Sequence, residues 1–158
     1  MRGIQWREKM SIDRGLVDED HRHLINIINR FDHLVALGRF DRADVVEILH
    51  SLKFYTDTHF DREEHLQRLV GYPEHDSHHE EHGRLLKELD GIIAKASATD
   101  DGDAADVAPE MIKLLRHWLL GHIIGIDLRM RAYAEAMRRH TGGLPDLKDI
   151  PHERPAHA

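Results

Sequence analysis

Apolar residues recur at helical spacing in four segments of this 158-residue chain, and in each segment at least one histidine takes a place on the apolar stripe. In the first, from Asp18 to Leu37, the residues His21, Leu24, Ile25, Ile28, Phe31 and Val35 share a face, and Gly38 follows. The second starts near Asp41 and brings Val45, Ile48, Leu52, Tyr55, His59, Glu63, Leu66 and Val70 into phase, with Gly71 and Pro73 after it. The third carries His78, His82, Leu85, Leu89, Ile93 and Ala96, and the fourth Met111, Leu115, Trp118, His122 and Ile126. Stripes with a period near 3.6 predict amphipathic helices, and no stretch alternates with the period of two that a half-buried strand needs. Four such helices must bury their stripes against one another. The predicted fold is therefore all-α, an antiparallel up-down-up-down four-helix bundle.

Local signals set the expected boundaries. Asp41 is a good N-cap, and Ser77 with Glu80 makes a capping-box pair that starts the third helix at Asp76 or Ser77. Thr99 to Asp106 reads as an acidic loop, and Pro109 falls in the first turn of a fourth helix that runs toward His140 before Gly142 and Gly143 stop it. Residues 1–140 are expected to form one bundle, its first 17 residues an arm laid over the helices with Trp6 as an anchor. Residues 141–158 are expected to be an extended, partly flexible C-terminal extension.

Composition removes several classes of function. With 22 basic and 29 acidic residues the net charge is −7, against the basic face that a nucleic-acid binder requires. There is no cysteine, hence no disulfide, thiolate nucleophile, iron–sulfur cluster or cysteine-based zinc site. The segment MRGIQWREKM lacks the apolar core of a signal peptide, and the most apolar stretch, Trp118 to Ile126, is too short to span a bilayer. A cytoplasmic protein is expected, with neither nucleic acid nor membrane as partner. The count that stands out is 15 histidines, spread along the chain and not gathered into a tag.

His21, His59, His78, His82 and His122 lie on apolar stripes and draw on all four helices. Glu63 shares the face of His59. Buried imidazoles and a buried carboxylate need partners, and a metal centre in the bundle core satisfies the whole set. His59 and Glu63 are four residues apart, as are His78 and His82, so each pair differs by only about 40° around its helix. So many inward ligands exceed one tetrahedral zinc and suggest a dinuclear site. Imidazole suits iron, zinc, copper or nickel, so chemistry alone leaves the metal open. Asp127 is not selected by periodicity, since it lies about 140° around an ideal helix from His122. It draws notice as the one acidic residue between Leu114 and Met130. It could equally pair with Arg129 or Arg131 at the surface. The other ten histidines read as solvated, His75 and His79 included, and the charged neighbours Asp61, Arg62 and Glu64, a run that suggests a water-facing surface, offer the same alternative for Glu63.

The segments DEDH (Asp18–His21), HFDREE (His59–Glu64), YPEHDSHHEEH (Tyr72–His82) and WLLGHIIGID (Trp118–Asp127) resemble, in order, the signature of the hemerythrin family, its bacteriohemerythrins in particular. The combined pattern H…HxxxE…HxxxH…HxxxxD, one block per helix, is highly specific where any single block is weak. The resemblance implies two iron ions in an oxo- or hydroxo-bridged, non-haem di-iron centre. His78, His82 and His122 would bind one iron, His21 and His59 the other, and Glu63 and Asp127 would bridge them. It further implies that O2 binds reversibly at the open position of the second iron, in a pocket lined by Phe60, Trp118, Leu119 and Ile123. His23, His65 and the chain beyond His140 depart from the pattern. The leading expectation is an O2 carrier or store and not an enzyme. The alternatives are a sensor of O2, redox state or nitric oxide, or an enzyme with peroxidase, ferroxidase or nitric-oxide-reducing activity. HEEH (His79–His82) is one residue short of the metalloprotease HExxH. Ferritin-like di-iron enzymes use several glutamates with ExxH pairs, whereas this set is rich in imidazole.

Overall fold

The structure of the chain, a computed structural model, describes residues 3–38, 41–100 and 104–144, with side chains from 108 onward in the last of these. It is a helical bundle of α1 (Leu16–Ala36), α2 (Arg42–Val70), α3 (His75–Ala98) and α4 (Ala104–Gly125), continued by a 3-10 turn (Asp127–Met130) and α5 (Arg131–Thr141). No strand occurs among the described residues, and none of their helices is long and apolar enough to cross a membrane. Helix α1 packs on α2 and α4, α2 on α3, and α3 on α4, which closes a ring of four.

The helix ends follow from local chemistry. Asp41 and Asp44 cap α2 reciprocally, each side chain accepting from the other's backbone N–H at 2.9 and 3.3 Å. At its far end Gly71 takes φ 68°, a left-handed conformation open to glycine, and the N–H of Tyr72 returns to the Gln67 carbonyl at 2.9 Å. The N-terminus of α1 has no side-chain cap from Gly15. Asp13 reaches it instead, accepting from the N–H groups of Val17 and Asp18 at 3.0 and 3.1 Å.

The residues before α1 are tied down. The buried Asp18 carboxylate accepts from Ser11 Oγ, Ile12 N–H and Arg14 N–H at 2.5, 2.7 and 3.0 Å. Asn29 exchanges two 2.7 Å bonds with the backbone of Ile4, and half-buried Trp6 lies under the Arg22 guanidinium at 4.6 Å.

Several expectations about the elements need correction. Helix α3 begins at His75, with no capping box: Ser77 donates its hydroxyl to the Glu74 carbonyl at 3.0 Å, because the chain already turns helically after Pro73. Helix α4 begins at Ala104, inside the expected loop, so Pro109 sits beyond the first turn. It also does not run unbroken toward His140 but ends at Gly125. Tyr55, expected inward, is exposed, and Thr56 takes the buried place. Thr141 still belongs to α5, and residues 145–158 of the expected extension lie outside the described residues.

The core has a layered order. A large apolar cluster fills most of the bundle and includes Leu24, Phe31, Leu52, Phe60, Leu85, Leu89, Leu115, Leu119 and Ile123. A small one at one end joins Ile12, Val17, Leu66, Tyr72 and Met130. In sequence a buried polar residue falls between the two clusters on every helix: His21 between Val17 and Leu24 on α1; Glu63 between Phe60 and Leu66 on α2, one turn after His59; His78 and His82 between Tyr72 and Leu85 before and along α3; Asp127 between Ile123 and Met130 after α4, following His122. A polar layer is thus sealed between two apolar ones.

Candidate metal centre

That polar layer holds all seven residues singled out as ligands, each at most 5% exposed: His21, His59, Glu63, His78, His82, His122 and Asp127. Their donor atoms fall into two groups, Glu63, His78, His82, His122, Asp127 and His21, His59, Glu63, Asp127, each compact enough to surround one ion. The two carboxylates belong to both groups. All five imidazoles present Nε2 to the interior. The Nε2 atoms of His21 and His59 are 3.0 Å apart, and those of His82 and His122 are 3.1 Å apart.

Asp127 divides its oxygens between the groups. Oδ1 lies 2.8 Å from His122 Nε2 and 3.0 Å from His78 Nε2, while Oδ2 lies 3.1 Å from His21 Nε2 and 4.0 Å from His59 Nε2. Glu63 Oε2 faces His82, His59 and His78 at 3.2, 3.6 and 3.7 Å. Asp127 gets there through the break after α4. With glycines at 121 and 125 weakening the helix, Ile126 opens to φ −112°, and the tighter 3-10 turn that follows swings Asp127 inward. Surface pairing of Asp127 is not what the fold adopts, since Arg131 pairs with Glu135 and Arg129 with Glu74.

The electrostatics are those of a site awaiting positive charge. Burial and the charge of Asp127 push the Glu63 carboxyl up, but the imidazoles of His78, His82 and His59 outweigh them and hold it below its usual range. Asp127 is likewise held well below its usual value, His122, His21 and His59 overcoming its burial. Burial pushes His59 down, yet the nearby carboxylates of Asp127, Asp20 and Glu63 raise it to about 10. His78 is raised to about 10 in the same way by Asp127 and Glu63.

Even so, both oxygens of Glu63 and Oδ2 of Asp127 are fully buried with no aligned hydrogen-bond donor. An uncompensated buried carboxylate costs several kcal/mol. Carboxylate oxygens left unpaired among converging ring nitrogens fit cations placed between them. An oxygen-plus-imidazole donor set free of sulfur suits iron, as it does zinc, copper or nickel.

Outer partners fix two of the five imidazoles, those of His82 and His59. Glu64 accepts from His82 Nδ1 at 2.7 Å and from His79 Nδ1 at 2.8 Å. Asp20 lies 3.4 Å from His59 Nδ1 and pairs with Arg62. A carboxylate can only accept, so each bond places the proton on Nδ1 and frees Nε2 for the interior. The reading of Glu64 as part of a solvated face is therefore wrong: it is buried. The signal that could have found it is its position four residues after Phe60, on a buried face of α2 two residues wide. His75 is half-buried, not solvated, because it lies inside α3, whereas His79 is exposed as expected.

The apolar residues named beside the site are buried as well: Phe60, Trp118, Leu119 and Ile123 all belong to the large cluster. Phe60 stacks on His82, ring centroids 3.7 Å apart and planes within 5°, and meets His122 edge-on at 5.4 Å.

Comparison with known proteins agrees with this arrangement. The family model described as the hemerythrin HHE cation binding domain matches residues 14–141. The chain is 30% identical over 137 residues to a bacteriohemerythrin of Stenotrophomonas maltophilia, covering 87% of this chain and 83% of that protein. It is 26% identical to a bacteriohemerythrin of Pseudomonas aeruginosa, with 91% and 88% covered. It is 27% identical to a myohemerythrin of Theromyzon tessulatum, with 80% and 90% covered. The matched span runs through every helix that carries one of the buried ligands, and the chain belongs to the hemerythrin HHE cation binding domain family.

Proposed function

We propose that this protein binds O2 reversibly, as a carrier or store, at a non-haem di-iron centre. In this reading His78, His82 and His122 hold one iron, His21 and His59 hold the other, and Glu63 and Asp127 bridge the two. The observation that carries it is the unequal pair of donor groups: three imidazoles against two, with both carboxylates common. The poorer group leaves room for an exogenous ligand. Iron, when bound, supplies the electrons for taking up O2 and recovers them on release.

The chain's own residues do the rest. Five Nε2 atoms orient toward the metals, and Asp127 offers one oxygen to each group. Phe60, Leu119 and Ile123 keep water, and hence protons, away from the site. We read the bundle as up-down-up-down. His21 and His78 lie early in their helices and His59 and His122 late, so side chains from four helices meet at one level if successive helices alternate in direction. Residues 1–140 are read as the functional unit.

The test is the absorption spectrum of the iron-loaded protein, reduced, exposed to air, then returned to argon. A band that forms with O2 and disappears on its removal is expected. Irreversible oxidation in the first cycle would refute carriage, and turnover of peroxide or nitric oxide with a reductant would replace it with an enzymatic reading.

A further inference from the structure

We propose that Glu64 and His79 form a positioning relay from the protein surface to His82, in which Glu64 sets the tautomer and rotation of the His82 ring and His79 sets the carboxylate. The inference rests on the reading of His82 as an iron ligand but concerns two residues outside the ligand set.

Glu64 follows Glu63 in sequence, about 100° further around α2, and so faces α3 while Glu63 faces the centre. Its side chain is 7% exposed, and each oxygen accepts from a different imidazole: Oε1 from the buried His82 at 2.7 Å, Oε2 from His79 at 2.8 Å. His79 is 61% exposed. His79 and His82 lie three residues apart on α3, neighbours on one side of the helix, so one carboxylate from α2 can clamp both.

Both Nδ1 atoms must carry their protons toward the acceptor. For His82 this leaves the Nε2 lone pair directed at Glu63 and His122, 3.2 and 3.1 Å away. Phe60, stacked on the other side of the ring, removes its remaining rotational freedom. The ring is therefore held at its face and at Nδ1, and the hold at Nδ1 ends at a side chain in contact with water. Outer carboxylates of this kind ordinarily change metal affinity by about 10–100-fold when removed, whereas exposed side chains such as His79 ordinarily matter little. An effect of His79 on the metal is what separates a relay from a local contact.

The experiment compares iron-loaded wild type with Glu64→Ala, Glu64→Gln, His79→Ala and His79→Asn. Iron loss to a chelator should be about 10–100-fold faster in Glu64→Ala. The amide oxygen of Glu64→Gln can still accept from His82, so that variant should recover most of the loss. His79→Ala should show a smaller change in the same direction, restored by His79→Asn, whose amide donates to Glu64. Mössbauer spectra should shift for one iron and not the other. Wild-type iron loss in Glu64→Ala would overturn the proposal, as would equal perturbation of both irons together with a lowered Tm.

Should wild type hold no iron at all, the failure belongs to the proposed function and not to the relay. The tautomer then decides. Two-bond proton–nitrogen NMR of the His82 ring should show the proton on Nδ1 in wild type and its loss from Nδ1 in Glu64→Ala; an Nε2-protonated ring in wild type overturns the relay.

Discussion

The two halves of the centre are built from the same side chains and finished differently. The His78–His82–His122 half draws on α3 and α4, and its His82 is backed by Glu64, a carboxylate whose outer partner is an exposed imidazole. The His21–His59 half draws on α1 and α2, and its His59 is backed by Asp20, whose outer partner is the Arg62 guanidinium. Arginine keeps its charge at any ordinary pH and grips a carboxylate in a fixed geometry, although the Asp20 contact with His59 is longer at 3.4 Å. One half is saturated with imidazole and tightly held at its ring. The other has one imidazole fewer and a longer outer contact, and on the proposed reading that is where a ligand is admitted. The halves meet only in Glu63 and Asp127, so substitutions sort by whether they strike the shared carboxylates or one half.

The largest effect is expected at the shared residues. Asp127→Ala should reduce iron to well below one equivalent by metal analysis, because both halves lose an oxygen at once, and Glu63→Ala should do the same. A variant that retained both irons would remove its residue from the bridging role. His59→Ala and His82→Ala come next. Each should lower iron content and Tm together, since emptied partners are left buried without hydrogen bonds. The comparison sharpens if His82→Ala costs more stability than His59→Ala, because it leaves the more buried Glu64 with the exposed imidazole of His79, whereas Asp20 keeps the Arg62 guanidinium. Full iron content in either variant would contradict the assignment.

Leu119→Ala tests the apolar wall. Leu119 is 2% exposed and one turn before His122, so truncation should cost about 2–5 kcal/mol of stability and leave iron content unchanged. Decay of the oxygenated spectrum should be several-fold faster than in wild type. Equal decay at matched pH and oxygen would show that Leu119 does not exclude water.

These side chains were not equally legible in the sequence. His21, His59, Glu63, His78, His82 and His122 could be found because each continues an apolar stripe with helical phase, and burial of a stripe carries its polar members inward. Asp127 could not, because its direction is set by the break at Ile126, and the glycines at 121 and 125 that precede it do not say which way the chain turns. Its part came from the resemblance. Glu64 was hidden among Asp61, Arg62 and Glu63, where a charge run suggests solvent. Only the width of the buried face of α2, two residues at Phe60 and again at Glu64, distinguishes it. The start of α3 lies one or two residues before the expected Asp76 or Ser77, because Ser77 and Glu80 imitate a capping box that the turn after Pro73 makes unnecessary.

The smallest effect expected is on pH dependence. In the iron-free chain Glu63 and Asp127 are held below their ordinary 4.5 and 3.8, so their contribution is complete above that range and lost as pH falls. His59 and His78, raised from 6.5 to about 10, contribute fully below 6.5 and lose that contribution as pH rises through about 10. Iron-free protein should therefore lose Tm as pH rises from about 6.5 to about 10. Iron replaces those protons, so the loaded protein should not show the alkaline loss. An alkaline decline of the same size in both forms would contradict the assignment of His59 and His78 as ligands.

The most direct measurement is crystallographic: anomalous difference maps of the iron-loaded protein on either side of the iron absorption edge. The account predicts two iron peaks in the polar layer. One should sit among the Nε2 atoms of His78, His82 and His122, the other between those of His21 and His59, both in reach of Glu63 and Asp127. A single peak, or iron bound away from these seven side chains, would contradict it.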